Sequence, residues 1–135
     1  MGVSALHHVN LKAAAADLEV LRDFYRDVVG LAPGPRPPFR IPGFWLYADG
    51  VPVLHLSEAT DAGSVRSITS RASALDHVAF RCSGMRSILA RLDERKIDYW
   101  VNDVPLTGET QVVFKDPLQL GVELAFDTAA ELGHE

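Results

Sequence analysis

"ALHHVNL" at residues 5–11 returns as "ALDHVAF" at residues 74–80. The two stretches share Ala, Leu, His and Val in order, and both have the alternating, β-branched character of a strand. A helix signal follows each of them. "DLEVLRDFYRDVVG" (17–30) carries Leu18, Leu21, Phe24, Tyr25 and Val28 as an apolar stripe, with Asp17 as the expected cap and Gly30 as the stop. "SGMRSILARLDERKI" (83–97) carries Met85, Ile88, Leu89 and Leu92, with Ser83 as the expected cap.

The echo continues to the end of each half. "FWLYADG" and "VPVLHLSEA" (44–59) read as two strands joined by a tight turn at Asp49-Gly50. "TQVVFKD" and "LGVELAF" (110–116 and 120–126) close the second half. "LAPGPRPPFRIPG" (31–43) holds five prolines and reads as a shaped loop or an edge segment, with the strand "DYWVNDVPL" (98–106) in its place in the second half. His8 and His77 are 69 residues apart, His55 and Glu123 are 68 apart, and Phe44 and Val112 are 68 apart. One unit of strand, helix and two or three strands therefore occurs twice, and a repeat of this kind sets the architecture.

The repeat also selects residues. His8 and His77 lie near the starts of the two first strands, and His55 and Glu123 lie in the two last strands. A lone strand histidine is more often a hydrogen-bonded core or surface residue than a ligand. Four imidazole or carboxylate groups at matched places are a different matter. A pseudo-two-fold axis between the repeats would bring the four positions together, and the set suits a divalent Zn, Ni, Fe, Mn or Co ion. The doublet His7-His8 is read through the echo, which keeps the second histidine and replaces the first with Asp76. Neighbouring strand residues point to opposite faces, so His8 is the candidate ligand and His7 is expected to have no part in metal binding.

The phrases "LHHVNL…LDHVAF", with "VLHLSEA" and "FKDPLQLGVELAF" ending the two halves, resemble the vicinal oxygen chelate superfamily. That group includes glyoxalase I, methylmalonyl-CoA epimerase, extradiol dioxygenases, fosfomycin-resistance enzymes and bleomycin-resistance proteins. The resemblance covers nearly the whole chain, and its motifs mark the superfamily but no single member. It implies an α+β fold of two βαβββ modules forming an open, U-shaped mixed β-barrel around a metal-binding cleft. The expected division is module one at about 1–58, a linker at about 59–73, module two at about 74–127 and a C-terminal tail at 128–135. By position, the resemblance makes His8, His77 and Glu123 the metal ligands, with His55 as a fourth and Glu123 as the catalytic carboxylate. His55 stands where glyoxalase I typically has glutamate and the epimerase has glutamine, which leaves Glu123 alone for proton shuttling. "DPLQLG" replaces the Gly/Asn-containing turn of many relatives and alters loop shape.

Pleat phase names further residues on the same face: Leu6 and Asn10 from His8, Leu75, Ala79 and Arg81 from His77, Val53 and Ser57 from His55. Asn10 and Arg81 are the polar ones and are the expected substrate contacts. Trp45, Tyr47, Tyr99 and Trp100 read as packing or dimer-surface residues. Arg36 and Arg40 read as solvated loop residues, with gating of an acidic substrate as the sharper alternative. Cys82 reads as a small apolar filler.

The totals bound the rest. The chain has 135 residues, 47% hydrophobic and 23% charged, enough for one ordinary domain with a real core. Its net charge of −5 and scattered basic residues argue against a nucleic-acid partner. No apolar run spans a bilayer, no secretory signal is legible, and Leu6 breaks a myristoylation motif, so a cytoplasmic protein without membrane association is expected. A single cysteine fits a reducing compartment and excludes thiolate-rich metal sites within one chain. The leading expectation is a metal-dependent glyoxalase- or dioxygenase-type enzyme, a homodimer by resemblance, acting on a small oxygenated substrate. The alternatives are a metal-free, ligand-sequestering protein of the bleomycin-resistance type and a fosfomycin-type thiol transferase.

Overall fold

Alternation between buried and part-exposed positions runs through Glu109–Lys115 and most of Gly121–Asp127, the last two strands of the protein. The computed structural model describes residues 1–59 and 75–133, so the expected linker, apart from Ala59, lies outside the described residues. The chain divides into two compact units, one for each copy of the repeated phrase.

The first unit runs β1 (Val9–Ala13), α1 (Ala15–Phe24), β2 (Ala32–Gly34), β3 (Gly43–Ala48) and β4 (Val51–Glu58). The second runs β5 (His77–Arg81), α2 (Met85–Glu94), β6 (Tyr99–Val104), β7 (Glu109–Lys115) and β8 (Gly121–Asp127), followed by α3 (Thr128–Leu132) in the segment read as a tail. Each unit is therefore βαβββ. The strand orders are β1-β4-β3-β2 and β5-β8-β7-β6, with the first and last strands of each unit parallel and the remaining pairs antiparallel. Each sheet is open and mixed. The expected α+β class and two-module repeat are observed.

Parallel neighbours need a crossover, and α1 and α2 supply it. In the first unit, Leu18, Leu21, Tyr25 and Val28 are buried together with Ala13, Leu46, Leu54 and Leu56, and α1 packs on β3 and β4. In the second, Ile88 and Leu92 are buried along with Val112, Phe114, Val122, Leu124 and Phe126. Alternate residues along β7 and β8 are thus committed to the core, which leaves the other set on the opposite face, whereas β4 buries Leu54, His55 and Leu56 in succession.

The ends of these elements differ in detail from the sequence expectations. The first strand is shorter than expected and starts at Val9, after both histidines. The N-cap of α1 is Ala14 rather than Asp17, which sits in the first turn and opposes the positive end of the helix dipole. The helix then widens into a π-helical turn (Tyr25–Val29), and Gly30 and Leu31 both donate their N–H to the Tyr25 carbonyl at 3.0 and 2.8 Å. Gly30 stops it in the left-handed region at φ 98°, as its place predicts. Ser83 does not cap α2. Gly84 is the N-cap, and the Glu131 carboxylate of α3 accepts from the Gly84 and Met85 N–H groups, each at 2.9 Å. The cap arrives from 47 residues downstream, beyond any local signal.

The proline-rich stretch contributes the three-residue edge strand β2, where missing donors are tolerated. Two loop contacts hold the remainder: the Tyr47 hydroxyl donates to the Pro35 carbonyl, and Arg36 Nη2 donates to the Ile41 carbonyl at 2.8 Å. The Arg36 guanidinium also lies 4.9 Å over the Phe39 ring, so Arg36 pins its own loop. Among the described residues, no helix is long and apolar enough to cross a membrane.

Candidate functional site

The two units place their candidate residues in the same register. Asn10, two residues after His8, pairs with His55 across β1 and β4. Ala79, two residues after His77, pairs with Glu123 across β5 and β8. The sequence echo is therefore a structural one. In each unit a first-strand histidine meets the last-strand candidate on the sheet face turned away from the buried core residues.

In the second unit, His77 and Glu123 converge. His77 Nε2 stands 3.2 Å from Glu123 Oε2, and His77 Nδ1 stands 3.0 Å from Asp76 Oδ2. Both ring nitrogens face a carboxylate, which can only accept; the Asp76 contact is the shorter and has hydrogen-bond geometry, so it takes the proton on Nδ1 and leaves Nε2 toward Glu123. Gly121 makes room for this arrangement. A Cβ there would meet the Asp76 carbonyl and the His77 Cβ, both at 2.8 Å.

In the first unit, the rings stack. His8 lies over His55 with centroids 3.9 Å apart and planes 16° from parallel, and Trp45 covers the other face of His55 at 4.2 Å and 9°. His55 Nε2 donates to the Pro52 carbonyl at 3.1 Å, which leaves Nδ1 as the free lone pair. Burial first, then the nearby His8, lowers the pKa of His55 and keeps its ring neutral. A neutral imidazole is the form that ligates a metal or stacks without a charge cost.

Trp45 reaches His55 because of a register shift. The Asp49-Gly50 turn has positive φ at both residues, 52° and 81°, as a two-residue hairpin requires. Continued without interruption from Ala48↔Val51 and Tyr47↔Pro52, that turn would set Trp45 against Leu54. A shift between Leu46 and Tyr47 instead pairs Leu46 with Leu54 and Trp45 with His55. Sequence reading assigned Trp45 to packing, and nothing local to the residue announces the bulge.

The expected substrate contacts are already engaged within their own units. Asn10 Nδ2 donates to Ser57 Oγ at 3.0 Å. Arg81 pairs with Glu109 Oε1 at 3.0 Å while remaining largely exposed. His7, expected to have no part in metal binding, touches His8: the two Nδ1 atoms are 2.9 Å apart. Both residues precede β1, so the strand alternation that separated them does not operate there.

Comparison with known proteins gives the same outline. No protein-family model matches the chain. A curated relative, Glyoxylase I 4 of Arabidopsis thaliana, is 29% identical over 126 residues, covering 90% of this chain and 70% of that protein. Among solved structures, a glyoxylase/bleomycin resistance protein/dioxygenase domain from a Frankia species superposes with a TM-score of 0.69 at 18% identity, covering 93% of each chain. Lactoylglutathione lyase from Agrobacterium tumefaciens gives 0.65 at 22% identity, over 96% of this chain and 98% of that one. An antibiotic-binding protein from a Streptomyces species gives 0.65 at 19%, over 94% and 98%. The fold is the two-module, glyoxalase-type fold of these structures.

Within this glyoxalase-type fold, the donors themselves show how well they fit a metal. Two donors each about 2.1 Å from one ion stand about 2.9–3.4 Å apart, depending on coordination geometry. The His77–Glu123 separation of 3.2 Å falls in that range. His8 and His55 fit by donor type. As stacked rings they direct their lone pairs side by side, so joint ligation requires the exposed His8 ring to turn off His55. Among the described residues, no group of three or more His, Cys, Asp or Glu is arranged to hold an ion. The donors are therefore organised as two pairs, one in each half of the repeat.

Proposed function

We propose that this protein is a metal-dependent enzyme of glyoxalase or dioxygenase type, acting on a small substrate with adjacent oxygens. Four residues, His8, His55, His77 and Glu123, would hold one divalent ion of the Zn, Ni, Fe, Mn or Co class, with His55 the weakest contributor. The observation that carries the reading is the His77–Glu123 pair, set at ligand spacing and matched in register by His8 and His55 in the other half. Similarity to Glyoxylase I 4 supports the enzyme class.

Such an ion supplies Lewis acidity toward adjacent substrate oxygens. Three neutral imidazoles and one carboxylate leave that site with net positive charge, which favours an anionic oxygen ligand. Glu123 is the general base: its carboxylate is half-buried and oriented by His77, and no second carboxylate stands at the matched place in the first half. Asn10 and Arg81 orient the substrate, Asn10 through its amide and Arg81 by exchanging Glu109 for a substrate anion. The stacked Trp45 and His55 rings give the apolar part of a substrate a flat wall. The working form on this reading is a homodimer in the cytoplasm.

Elemental analysis of untagged protein tests the proposal. We expect close to one metal per chain, restored after chelation by Ni, Zn, Mn or Fe(II). Less than about 0.2 per chain, not raised by any of these ions, removes the metal reading, since real sites bind tightly. Oxygen uptake with catechols, against isomerisation of glutathione hemithioacetals and thiol transfer to fosfomycin, then separates the reaction types.

A second reading is a ligand-sequestering protein that uses no metal. The His8–His55–Trp45 stack favours it, because an aromatic column presents a planar ligand with a ready face. Similarity in fold to the Streptomyces antibiotic-binding protein points the same way. Retention of an imidazole or carboxylate at all four matched places favours the enzyme.

A further inference from the structure

Two of the three candidate ligand histidines, His8 and His77, are touched on Nδ1 by the residue immediately before them. Asp76 Oδ2 lies 3.0 Å from His77 Nδ1, and His7 Nδ1 lies 2.9 Å from His8 Nδ1. His7 and Asp76 share one of the three aligned places at which the repeated phrases differ, "HH" in one and "DH" in the other. We propose that His7 and Asp76 are positioning residues: each holds its neighbour's ring as the Nδ1–H tautomer and so presents a bare Nε2 on the open sheet face. The proposal rests on the metal reading above for its purpose, but the tautomer is a property of the metal-free chain.

The chemistry is asymmetric in strength. The Asp76 carboxylate is an obligate acceptor at 3.0 Å in hydrogen-bond geometry, whereas Glu123 stands farther from Nε2 at 3.2 Å, so His77 donates from Nδ1. Its bond is also charge-assisted, which makes it shorter-range and stronger than a neutral one. The main chain at Asp76 is fixed as well, because its carbonyl accepts from the Gly121 N–H at 3.1 Å. The His7–His8 contact joins two Nδ1 atoms, and its geometry alone permits either to donate; we assign the direction that matches the Asp76 half, with the His7 proton on Nε2 and His8 donating from Nδ1. Edge-on contact between the two rings, at 78°, suits an in-plane nitrogen of one pointing to the other. An outer hydrogen bond of this sort fixes ring orientation and raises ligand basicity.

Geometry explains why a residue one place away can do this. In a strand, neighbours i and i+1 point to opposite faces. His7 and His8 lie before β1, and Asp76 lies just before the first residue of β5. Free of the pleat on at least one side, the preceding side chain can fold back onto the histidine that opens the sheet.

The test uses the full metal-free chain, labelled with 15N, at about pH 8, where ordinary imidazoles are neutral. Long-range 1H–15N spectra read the tautomer of each ring. In the unaltered chain, His77 and His8 should both show Nδ1–H. Asp76→Ala should release His77 to a mixture dominated by Nε2–H, while Asp76→Asn, whose amide oxygen still accepts, should retain the Nδ1–H form. His7→Ala should release His8, and His7→Asp should hold it. Calorimetric titration with Co(II) is the second readout: Asp76→Ala should weaken binding about 10- to 100-fold, with partial recovery in Asp76→Asn, and His7→Ala should weaken it by less. Unchanged tautomers in both alanine variants overturn the proposal. Failure of the unaltered chain to bind Co(II), with the tautomers behaving as stated, overturns the metal reading and leaves the positioning roles in place. Both residues are exposed, so neither alanine variant removes core packing.

Discussion

The backbone of Gly121 lies so close to His77 that a Cβ built on the glycine would stand 2.8 Å from the Cβ of the histidine. The glycine is required by space, since a second contact, with the Asp76 carbonyl, is equally short. Backbone on one side and a Cβ on the other leave little to give way. Gly121→Ala should therefore cost about 1–3 kcal/mol, the usual range for overpacking, and displace the start of β5. Urea denaturation measures the first effect. The second predicts weaker metal binding in a variant that alters no ligand, measured by calorimetry.

Removal of the candidate ligands should not be uniform in effect. His8→Ala, His77→Ala and Glu123→Ala should each abolish metal binding, while His55→Ala should weaken it less. His55 has an extra role as the middle ring of a stack, so its loss should also change the emission of Trp45. Equilibrium dialysis with Zn or Ni, alongside fluorescence with Trp100 replaced by Phe, reads the two effects separately.

Glu131 caps α2 from a distant helix, and its removal should cost stability without touching the sheet face. Glu131→Ala orphans the Gly84 and Met85 N–H groups and should destabilise by about 0.5–2 kcal/mol, the range for a lost helix cap. Glu131→Gln keeps one acceptor and should lose less. Comparison of denaturation midpoints for the three chains decides it, and metal stoichiometry should be unchanged.

Cys82 should be a slow thiol. Burial, with the Glu131 carboxylate adding to it, raises its pKa above the ordinary thiol value. The folded state thus keeps the proton more firmly than the unfolded one. Its contribution to stability is complete below the unfolded thiol pKa of about 8.5 and declines as pH rises beyond it. Alkylation by iodoacetamide at neutral pH should run several-fold slower in the folded chain than in urea.

The repeat was legible because it is written in chemistry as well as pattern. An imidazole or carboxylate recurs at matched places, and the register of Asn10 with His55 and Ala79 with Glu123 reproduces that match in three dimensions. The Asp49-Gly50 turn and the Gly30 stop were legible because positive φ restricts residue choice. The cap of α2 was not, because Ser83 has the right chemistry and Glu131 the right location. Trp45 was missed because a register shift, and no residue preference, turns it onto His55. The His7–His8 contact was not legible because both residues precede β1, where strand alternation does not operate.

The parallel pairing of first and last strands also constrains how the chain comes together. Val9 waits for Leu54, and His77 waits for Gly121, with an entire module between them. Hairpins such as β3–β4 can close locally, whereas β1 and β5 have no neighbour until the final strand of their unit exists. Long-range closures of this kind are slow steps in folding. Each candidate donor pair therefore depends on the strand that closes its module, so a chain interrupted before Val51 or Gly121 would lose His55 or Glu123 while keeping the helix of that module.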